Sequence, residues 1–280
     1  MHVLQKHHIV DLFVWIEDSL PAEFSFASSR SGVGRPAALS IGETITILLF
    51  SGLTASQKLL KDIWKWAITN HSEDFSIPCY SKFIEHCHKA IPYLAVLLQS
   101  TMKQDAEIKL LDSTMLPVCK KCRADRHKVA KAVAGWGKNH QDWFYGFKMH
   151  AACDPYGNLC AVYFTPANEH DAQQIPKLIG EDTKIAIGDG TYNARVMRQQ
   201  MWEKLGCFVL APPHPKQDKK VAADWQMALL KIRTRIECLF DYLKEHLHMV
   251  TSFPRSVNGY LLNYLRTLLT YQVMIGGGLI

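Results

Sequence analysis

The chain has 280 residues, of which 48% are hydrophobic and 21% are charged, and its formal net charge is +6. This length is enough for one large domain or two smaller ones with buried cores, and the composition is that of an ordinary globular protein. The sequence has no uninterrupted apolar run long enough for a transmembrane helix, and its N-terminal stretch lacks the layout of an export signal. We therefore expect a cytoplasmic protein.

The cysteines do not follow the spacing of a disulfide framework, so we expect free thiols in a reducing compartment. Cys119 and Cys122 form an isolated C-x-x-C. A structural zinc site needs a second pair of ligands, for which Cys79, Cys87 and His88 are the available residues. Their arrangement does not favour a zinc site.

The first hundred residues are predicted to be helical. Apolar residues recur at helical spacing from Leu4 to Leu20, and the Ser/Gly-rich stretch 28–36 is predicted to be a linker. Further helices are predicted to begin at the capping boxes Ser40/Glu43 and Thr54/Gln57, and to run from Tyr80 to Leu98. A turn at Ser51-Gly52 would suit a helix-turn-helix, and equally any small helical bundle.

Near residue 105 the pattern changes to alternating strands and helices. Five strands are predicted, in "EIKLLDST", "WFYGFKMHAAC", "LCAVYFT", "KIAIGD" and "CFVLAPP", with a hairpin turn at "DPYGN". Helices are predicted over Asp171–Ile179, Asn193–Leu205 and about Asp224–Leu247. This order predicts an α/β fold with a mixed sheet flanked by helices. We place the domain boundary after residue 104, so that residues 1–104 are helical and residues 105–280 form the α/β domain with a C-terminal helix.

Basic residues are concentrated in two stretches. Seven Lys or Arg residues lie between Lys120 and Lys138, against one acid, Asp125. The second stretch comprises Lys216, Lys219, Lys220, Lys231, Arg233 and Arg235. Such stretches suit a polyanion such as DNA, because neutralised phosphates release counterions. They are equally compatible with solvated basic loops.

Two acids follow predicted strands. Asp112 follows "IKLL" and Asp189 follows "IAIG", so strand alternation places each on the apolar face of its strand. A carboxylate there is costly unless it is paired, protonated or bound to a cation. The alternative for each is an ordinary turn or cap residue.

A third acid, Glu237, lies in the predicted helix with Arg233 four residues before it and Lys244 seven residues after it. At 100° per residue these three charges share one stripe. An intrahelical salt bridge would explain why Arg233 and Glu237 are four residues apart, although Arg before Glu is the less favourable order. It does not explain the position of Lys244. Together with Asp112 and Asp189, Glu237 completes a set of three acids that suits one or two Mg²⁺ ions.

These segments resemble the DDE-type transposases of bacterial insertion sequences, whose catalytic core has the RNase H-like fold. "LLDST" resembles the strand with the first Asp, "IAIGDGTYN" the segment with the second, and "RTRIECLFDYLK" the glutamate helix. One subgroup carries Tyr-x2-Arg-x3-Glu-x6-Lys on that helix, and here Leu230 stands at the tyrosine position. "WFYGFKMHAACDPYGN" and "RADRHKVAKA" resemble the second-strand hairpin and the basic stretch of related members.

The resemblance implies a metal-dependent polynucleotidyl transferase. Asp112, Asp189 and Glu237 would be the catalytic acids that hold Mg²⁺ or Mn²⁺. The implied DNA contacts are Arg233, Lys244, Lys148, Arg126, His127, Lys128 and Tyr192. The implied partners are double-stranded DNA, as terminal inverted repeats and as target, and further copies of the chain, with the helical domain binding DNA ends. The alternatives are an RNase H-like nuclease without strand transfer and a non-catalytic DNA-binding protein derived from a transposase.

Overall fold

The computed structural model describes residues 7–20, 37–55, 59–138, 142–212 and 223–276. The predicted linker 28–36, Gln57 and the lysines Lys216, Lys219 and Lys220 lie outside these residues. The chain folds as two compact units. The first comprises Met1–Thr101, Leu243–Met249 and Phe253–Ile280, and the second Met102–Tyr242 and Val250–Ser252. Within the described ranges no helix is both long and apolar enough to cross a membrane.

The described residues of the N-terminal part of the first unit form five helices. They are α1 (His7–Ser19), α2 (Ile41–Thr54), α3 (Leu60–His71), α4 (Tyr80–Lys89) and α5 (Ile91–Thr101). The predicted capping box opens α2, because Ser40 Oγ accepts the N–H of Glu43 at 3.0 Å and the Glu43 carboxylate accepts the N–H of Ser40 at 2.6 Å. Thr54 ends α2 instead of opening the next helix, and its hydroxyl donates to the carbonyl of Phe50 at 2.7 Å.

A six-stranded mixed sheet forms the centre of the second unit. Its strands are β1 (Ile108–Pro117), β2 (Gly135–Lys138), β3 (Trp143–Cys153), β4 (Leu159–Pro166), β5 (Ile185–Ile187) and β6 (Phe208–Leu210). The central strand β1 pairs antiparallel with β3 and parallel with β5, and β6 pairs parallel with β5 at the edge. On its other side β3 pairs with β4 and, at its first four residues, with β2, a strand that the sequence did not predict.

The predicted hairpin turn between β3 and β4 is present. The carboxylate of Asp154 accepts the N–H groups of Tyr156 and Asn158, both at 2.9 Å. Gly157 has φ of 97°, a conformation that glycine adopts without steric cost. The side chain of Asp154 thus closes the turn that local sequence signals predicted.

Helices flank the sheet, which confirms the predicted fold class. They are α6 (Ile175–Leu178), α7 (Arg195–Leu205), α8 (Asp224–Ile232) and α9 (Thr234–Asp241). Apolar residues of the strands and helices, including Leu111, Ile175 and Met201, pack into one core. The single helix predicted from Asp224 to Leu247 is divided instead. It breaks at Arg233 and continues after α9 as a π-helical turn, Tyr242–His246.

The last helix, α10 (Val257–Ile275), packs with the N-terminal helices in the first unit, whereas the sequence placed it with the α/β domain. Gly52 explains part of this packing. It lies inside α2 and is buried, so the turn predicted at Ser51-Gly52 is wrong. A Cβ atom at Gly52 would lie 3.0 Å from Oγ1 of Thr270 in α10, so glycine permits a close approach of the two helices.

Candidate active site

Asp112 lies in β1, at the centre of the sheet, with its side chain 18% exposed. Its Oδ1 accepts the N–H of Ser113 at 2.8 Å. Burial, with smaller contributions from the carboxylates of Asp189 and Glu237, raises the pKa of Asp112 to about 7, although the N–H of Ser113 and the guanidinium of Arg233 oppose this shift. The side chains of all three predicted acids therefore lie close enough to interact electrostatically.

The parallel pairing of β1 with β5 explains how the first two acids come together. Leu110 lies opposite Ile187, and Asp112 and Asp189 each follow by two residues. Because neighbouring strands are about 4.8 Å apart, the two acids lie side by side beyond the end of β5, although β1 itself continues to Pro117 and does not end near Asp112 as the sequence predicted. Asp189 also caps the 3₁₀ turn Gly190–Tyr192, since its Oδ1 accepts the N–H of Thr191 at 2.9 Å and the hydroxyl of the same residue.

Glu237 approaches Asp112 and Asp189 from helix α9, which packs against β1. Arg233, at the break between α8 and α9, pairs with it at 2.6 Å from Nη2 to Oε1. The same guanidinium lies 3.6 Å from Asp112, measured from Nη1 to Oδ2. The intrahelical salt bridge between Arg233 and Glu237, which the sequence offered as an alternative to a metal site, is therefore present. Because Arg233 also contacts Asp112, it connects the two acids.

The donor set suits a hard divalent cation, because three partly buried carboxylates supply oxygen ligands of the kind that Mg²⁺ prefers. In the described parts of the chain, however, no three His, Cys, Asp or Glu side chains are close enough to enclose a metal ion. The cation that bridges Asp112 and Glu237 in this conformation is Arg233. Binding of a metal by all three acids therefore requires a rearrangement of these side chains.

Lys148, a predicted DNA contact, points into an ion pair. Its Nζ lies 2.9 Å from the carboxylate of Asp171 and donates to the carbonyl of Glu169 at 2.8 Å. The side chains of Lys148 and Asp171 are only 15% and 16% exposed. His150, two residues along the same face of β3, is buried with Nδ1 3.6 Å from Asp171.

Asp171 was not identified from the sequence, where it marked only a helix start. The alternation of β3 contained a signal for it, because Lys148 and His150 share one face of the strand. The charge of Lys148 on a largely buried face requires an acid partner.

Tyr192, another predicted DNA contact, is fully buried in the core of the second unit. Its hydroxyl has no hydrogen-bond partner among the described residues. Burial raises the pKa of Tyr192, and the carboxylates of Asp171, Asp112 and Asp189 raise it further. In this conformation Tyr192 cannot touch DNA, because none of its surface is accessible.

The remaining predicted DNA contacts lie in two places. Arg126 and Lys128 are exposed in the loop between β1 and β2, and His127 between them packs its ring edge-on against Tyr145, with centroids 6.1 Å apart. Lys244 lies in the π-helical turn, where the 100° step used to place it on one stripe with Glu237 no longer applies.

One protein family, described as the transposase DDE domain, has a model that matches residues 102–257. This match covers more than half of the chain and includes Asp112, Asp189, Arg233 and Glu237. It confirms the resemblance drawn from the strand and helix motifs. The chain belongs to the transposase DDE domain family.

Proposed function

We propose that the chain is a transposase that cleaves DNA at the ends of an insertion sequence and joins the released ends to target DNA. Family membership supports a transposase-type function with DNA as the partner. The observation that carries the catalytic part of the proposal is the convergence of the acids. Asp112 and Asp189 lie at the same level of adjacent strands, and Glu237 is connected to Asp112 through Arg233.

Asp112, Asp189 and Glu237 are the residues that would hold Mg²⁺ or Mn²⁺. When bound, such ions make a hydroxyl nucleophile available at neutral pH and stabilise the leaving oxygen of a phosphodiester. The protein supplies the orientation of the ligands. Thr191 fixes Oδ1 of Asp189, and the N–H of Ser113 fixes Oδ1 of Asp112. Partial burial of Asp112 limits water around the reacting phosphate.

Arg233 has a second role in this proposal. Its guanidinium can form two parallel hydrogen bonds to carboxylate or phosphate oxygens alike. When DNA enters, Arg233 leaves the acids and binds a phosphate beside the scissile bond, with Lys244, Arg126, His127 and Lys128 as further contacts. The same movement makes the acids available to the cation.

We further propose that the helical region 1–104 binds the terminal inverted repeats and that the α/β unit performs catalysis. Transposition needs both element ends in one complex, so we propose a homo-oligomer assembled on DNA in a bacterial cytoplasm, associated with the nucleoid. Cross-linking of the full chain with and without end DNA measures the assembly. A chain that stays monomeric on paired ends contradicts this part of the proposal.

The function is tested by incubating the full chain with Mg²⁺, the DNA that flanks its coding region and a target plasmid. The expected products are strands cut at the element ends and plasmids joined to those ends. Cleavage products that never join would support the RNase H-like nuclease instead. Binding of end DNA with neither cleavage nor joining, in Mg²⁺ and in Mn²⁺, would support the non-catalytic DNA-binding protein.

A further inference from the structure

A groove of about 790 Å³ lies between helix α7 and the edge strand β6. Its walls include Asn193, Arg195, Arg198, Gln199, Trp202 and Phe208. It starts at Asn193, four residues after the catalytic acid Asp189, and follows α7 away from the acids. None of these lining residues is among the acids or the predicted DNA contacts.

One side of the groove is a stripe of α7. Arg195, Arg198 and Trp202 are three, four and seven residues apart, which places them on one face of the helix. The indole of Trp202 is 61% exposed, which is unusual for a side chain of this size. The stripe thus presents two guanidinium groups and one accessible aromatic ring along the groove.

The end of the groove nearest Asp189 is held by hydrogen bonds. Nη1 of Arg198 donates to the side-chain oxygen of Asn193 at 2.7 Å, and the amide nitrogen of Asn193 donates to the carbonyl of Pro212 at 3.1 Å. Asn193 therefore connects the start of α7 to the chain that leaves β6. This arrangement fixes the guanidinium of Arg198 at the Asn193 end of the groove.

We infer that this groove binds an unpaired segment of a DNA strand beside the active site, and the inference builds on the proposed function. Arg195 and Arg198 contact backbone phosphates, and Trp202 stacks on a base. At 1.5 Å per residue, Arg195 and Trp202 are about 10 Å apart along α7. This is about three stacked nucleotide steps of 3.4 Å.

The aromatic ring selects an unpaired strand over an intact duplex. Every base presents a face to a ring once it is unpaired, whereas in a duplex the interior bases are stacked on one another. A concave groove with a few cations and an aromatic side chain is the usual arrangement for single-strand binding without sequence preference. DNA cleavage by the proposed reaction produces free strand ends close to Asp189, where the groove begins.

The test measures affinity for a fluorescent single-stranded oligonucleotide by anisotropy, using the full chain in EDTA so that no cleavage occurs. Trp202→Ala is expected to weaken binding about tenfold, and Trp202→Phe to restore most of the affinity. Arg195→Ala is expected to weaken binding several-fold. It should also reduce the slope of log affinity against log salt concentration by about the amount that corresponds to one phosphate contact. Lys204→Ala is the matched control, since Lys204 is exposed on the same helix and does not line the groove.

A second measurement locates the strand. Photocross-linking with an oligonucleotide that contains 5-iodouracil is expected to label the peptide with Trp202. The inference is wrong if Trp202→Ala and Arg195→Ala bind as Lys204→Ala does, if the label lies only elsewhere, or if a blunt duplex of the same sequence competes as well as the single strand. These assays need no metal and so do not depend on catalysis. If the chain binds the single strand as expected but neither cleaves nor joins DNA, only the proposed function is contradicted.

Discussion

The guanidinium of Arg233 pairs with the carboxylate of Glu237 across the break between helices α8 and α9, at 2.6 Å. Its second nitrogen lies 3.6 Å from Asp112 in β1, so one cation connects an acid of the helix with an acid of the strand. An arginine in this position lowers the repulsion between the two carboxylates in the absence of a metal. Under the proposed function it also competes with a divalent ion for the same oxygens.

Replacement of Arg233 by Gln is therefore expected to tighten the binding of Mn²⁺ in the absence of DNA. The loss of a positive charge within 4 Å of two ligands should increase the affinity about three- to tenfold, because the partly exposed site screens the charge only in part. Isothermal titration with Mn²⁺ measures the effect. Arg235→Gln, an equal change of charge at an exposed residue of the same helix, should leave the affinity unchanged. Unchanged or weaker binding by Arg233→Gln would refute the competition.

Replacement of Asp189 by Asn is expected to abolish cleavage while end binding persists. The Asn side chain has the same shape and can still accept the N–H of Thr191, but it lacks the negative charge that a divalent ion requires. The cleavage rate should fall at least about a thousandfold, equivalent to about 4 kcal/mol of transition-state stabilisation. Single-turnover cleavage and gel-shift assays of the same protein measure the two properties. Asp182→Asn, at an exposed residue before β5, should remain active. A fully active Asp189→Asn enzyme would exclude Asp189 from the catalytic set.

Five of the six strands of the second unit could be predicted because their signals are local, whereas β2 has no such signal. Apolar runs end at Asp112 and Asp189, and Asp154 with Gly157 marks the hairpin turn. The strand order was not predicted, and it is the parallel pairing of β1 with β5 that puts Asp112 and Asp189 side by side, two residues beyond Leu110 and Ile187.

The features that the sequence did not reveal depend on tertiary contacts. The break at Arg233 coincides with a contact to Asp112 on a distant strand, which helical periodicity cannot detect. Local preference predicts a turn at Gly52, but this residue lies inside α2. Because glycine has no side chain, Thr270 of α10 can approach the helix closely at this position. The resemblance implied a DNA contact at Tyr192, yet its ring is fully buried in the core of the second unit.

The pairing of Lys148 with Asp171 is expected to stabilise the fold. Lys148→Met would leave a carboxylate without its partner in a largely buried site and lower the free energy of unfolding by about 1–3 kcal/mol. The double variant with Asp171→Asn should recover part of this loss, which urea denaturation measures as a coupling energy. Lys82→Met is the control, since it removes an exposed ion pair of similar length between Lys82 and Glu85. It should lower the free energy of unfolding by less than about 0.5 kcal/mol. Equal losses in both single Lys variants would contradict a structural role for Lys148.

Two glycines of the loop that follows β5 should differ sharply in their tolerance of alanine. A Cβ atom at Gly188 would lie 2.6 Å from the ring of Tyr192, whereas one at Gly190 would have no atom within 4 Å among the described residues. Gly188→Ala should therefore destabilise the chain by about 1–3 kcal/mol, because the buried ring has to shift. Gly190→Ala should be neutral within about 0.5 kcal/mol. Thermal unfolding of the two variants measures the difference, and equal melting temperatures would contradict the packing of Tyr192 against Gly188.

His150 is expected to make the chain less stable in mild acid. Burial, with smaller contributions from Lys148 and Lys177, lowers the pKa of His150 to about 4, although the carboxylate of Asp171 opposes this shift. In the unfolded chain the imidazole titrates near 6.5. Between these values the unfolded state binds the proton and the folded state does not. The contribution of His150 to stability is thus complete above about pH 6.5 and declines as the pH falls toward 4.

At about 1.4 kcal/mol per pKa unit, the loss between pH 7.5 and pH 5 is about 2 kcal/mol. His150→Gln removes the titrating group, so its unfolding free energy should change less over this range than that of the unmodified chain. Urea denaturation at the two pH values measures both slopes, and the difference between them isolates His150 from the other histidines. Parallel slopes for the two proteins would show that the imidazole is protonated alike in the folded and unfolded states, against its burial beside Thr165.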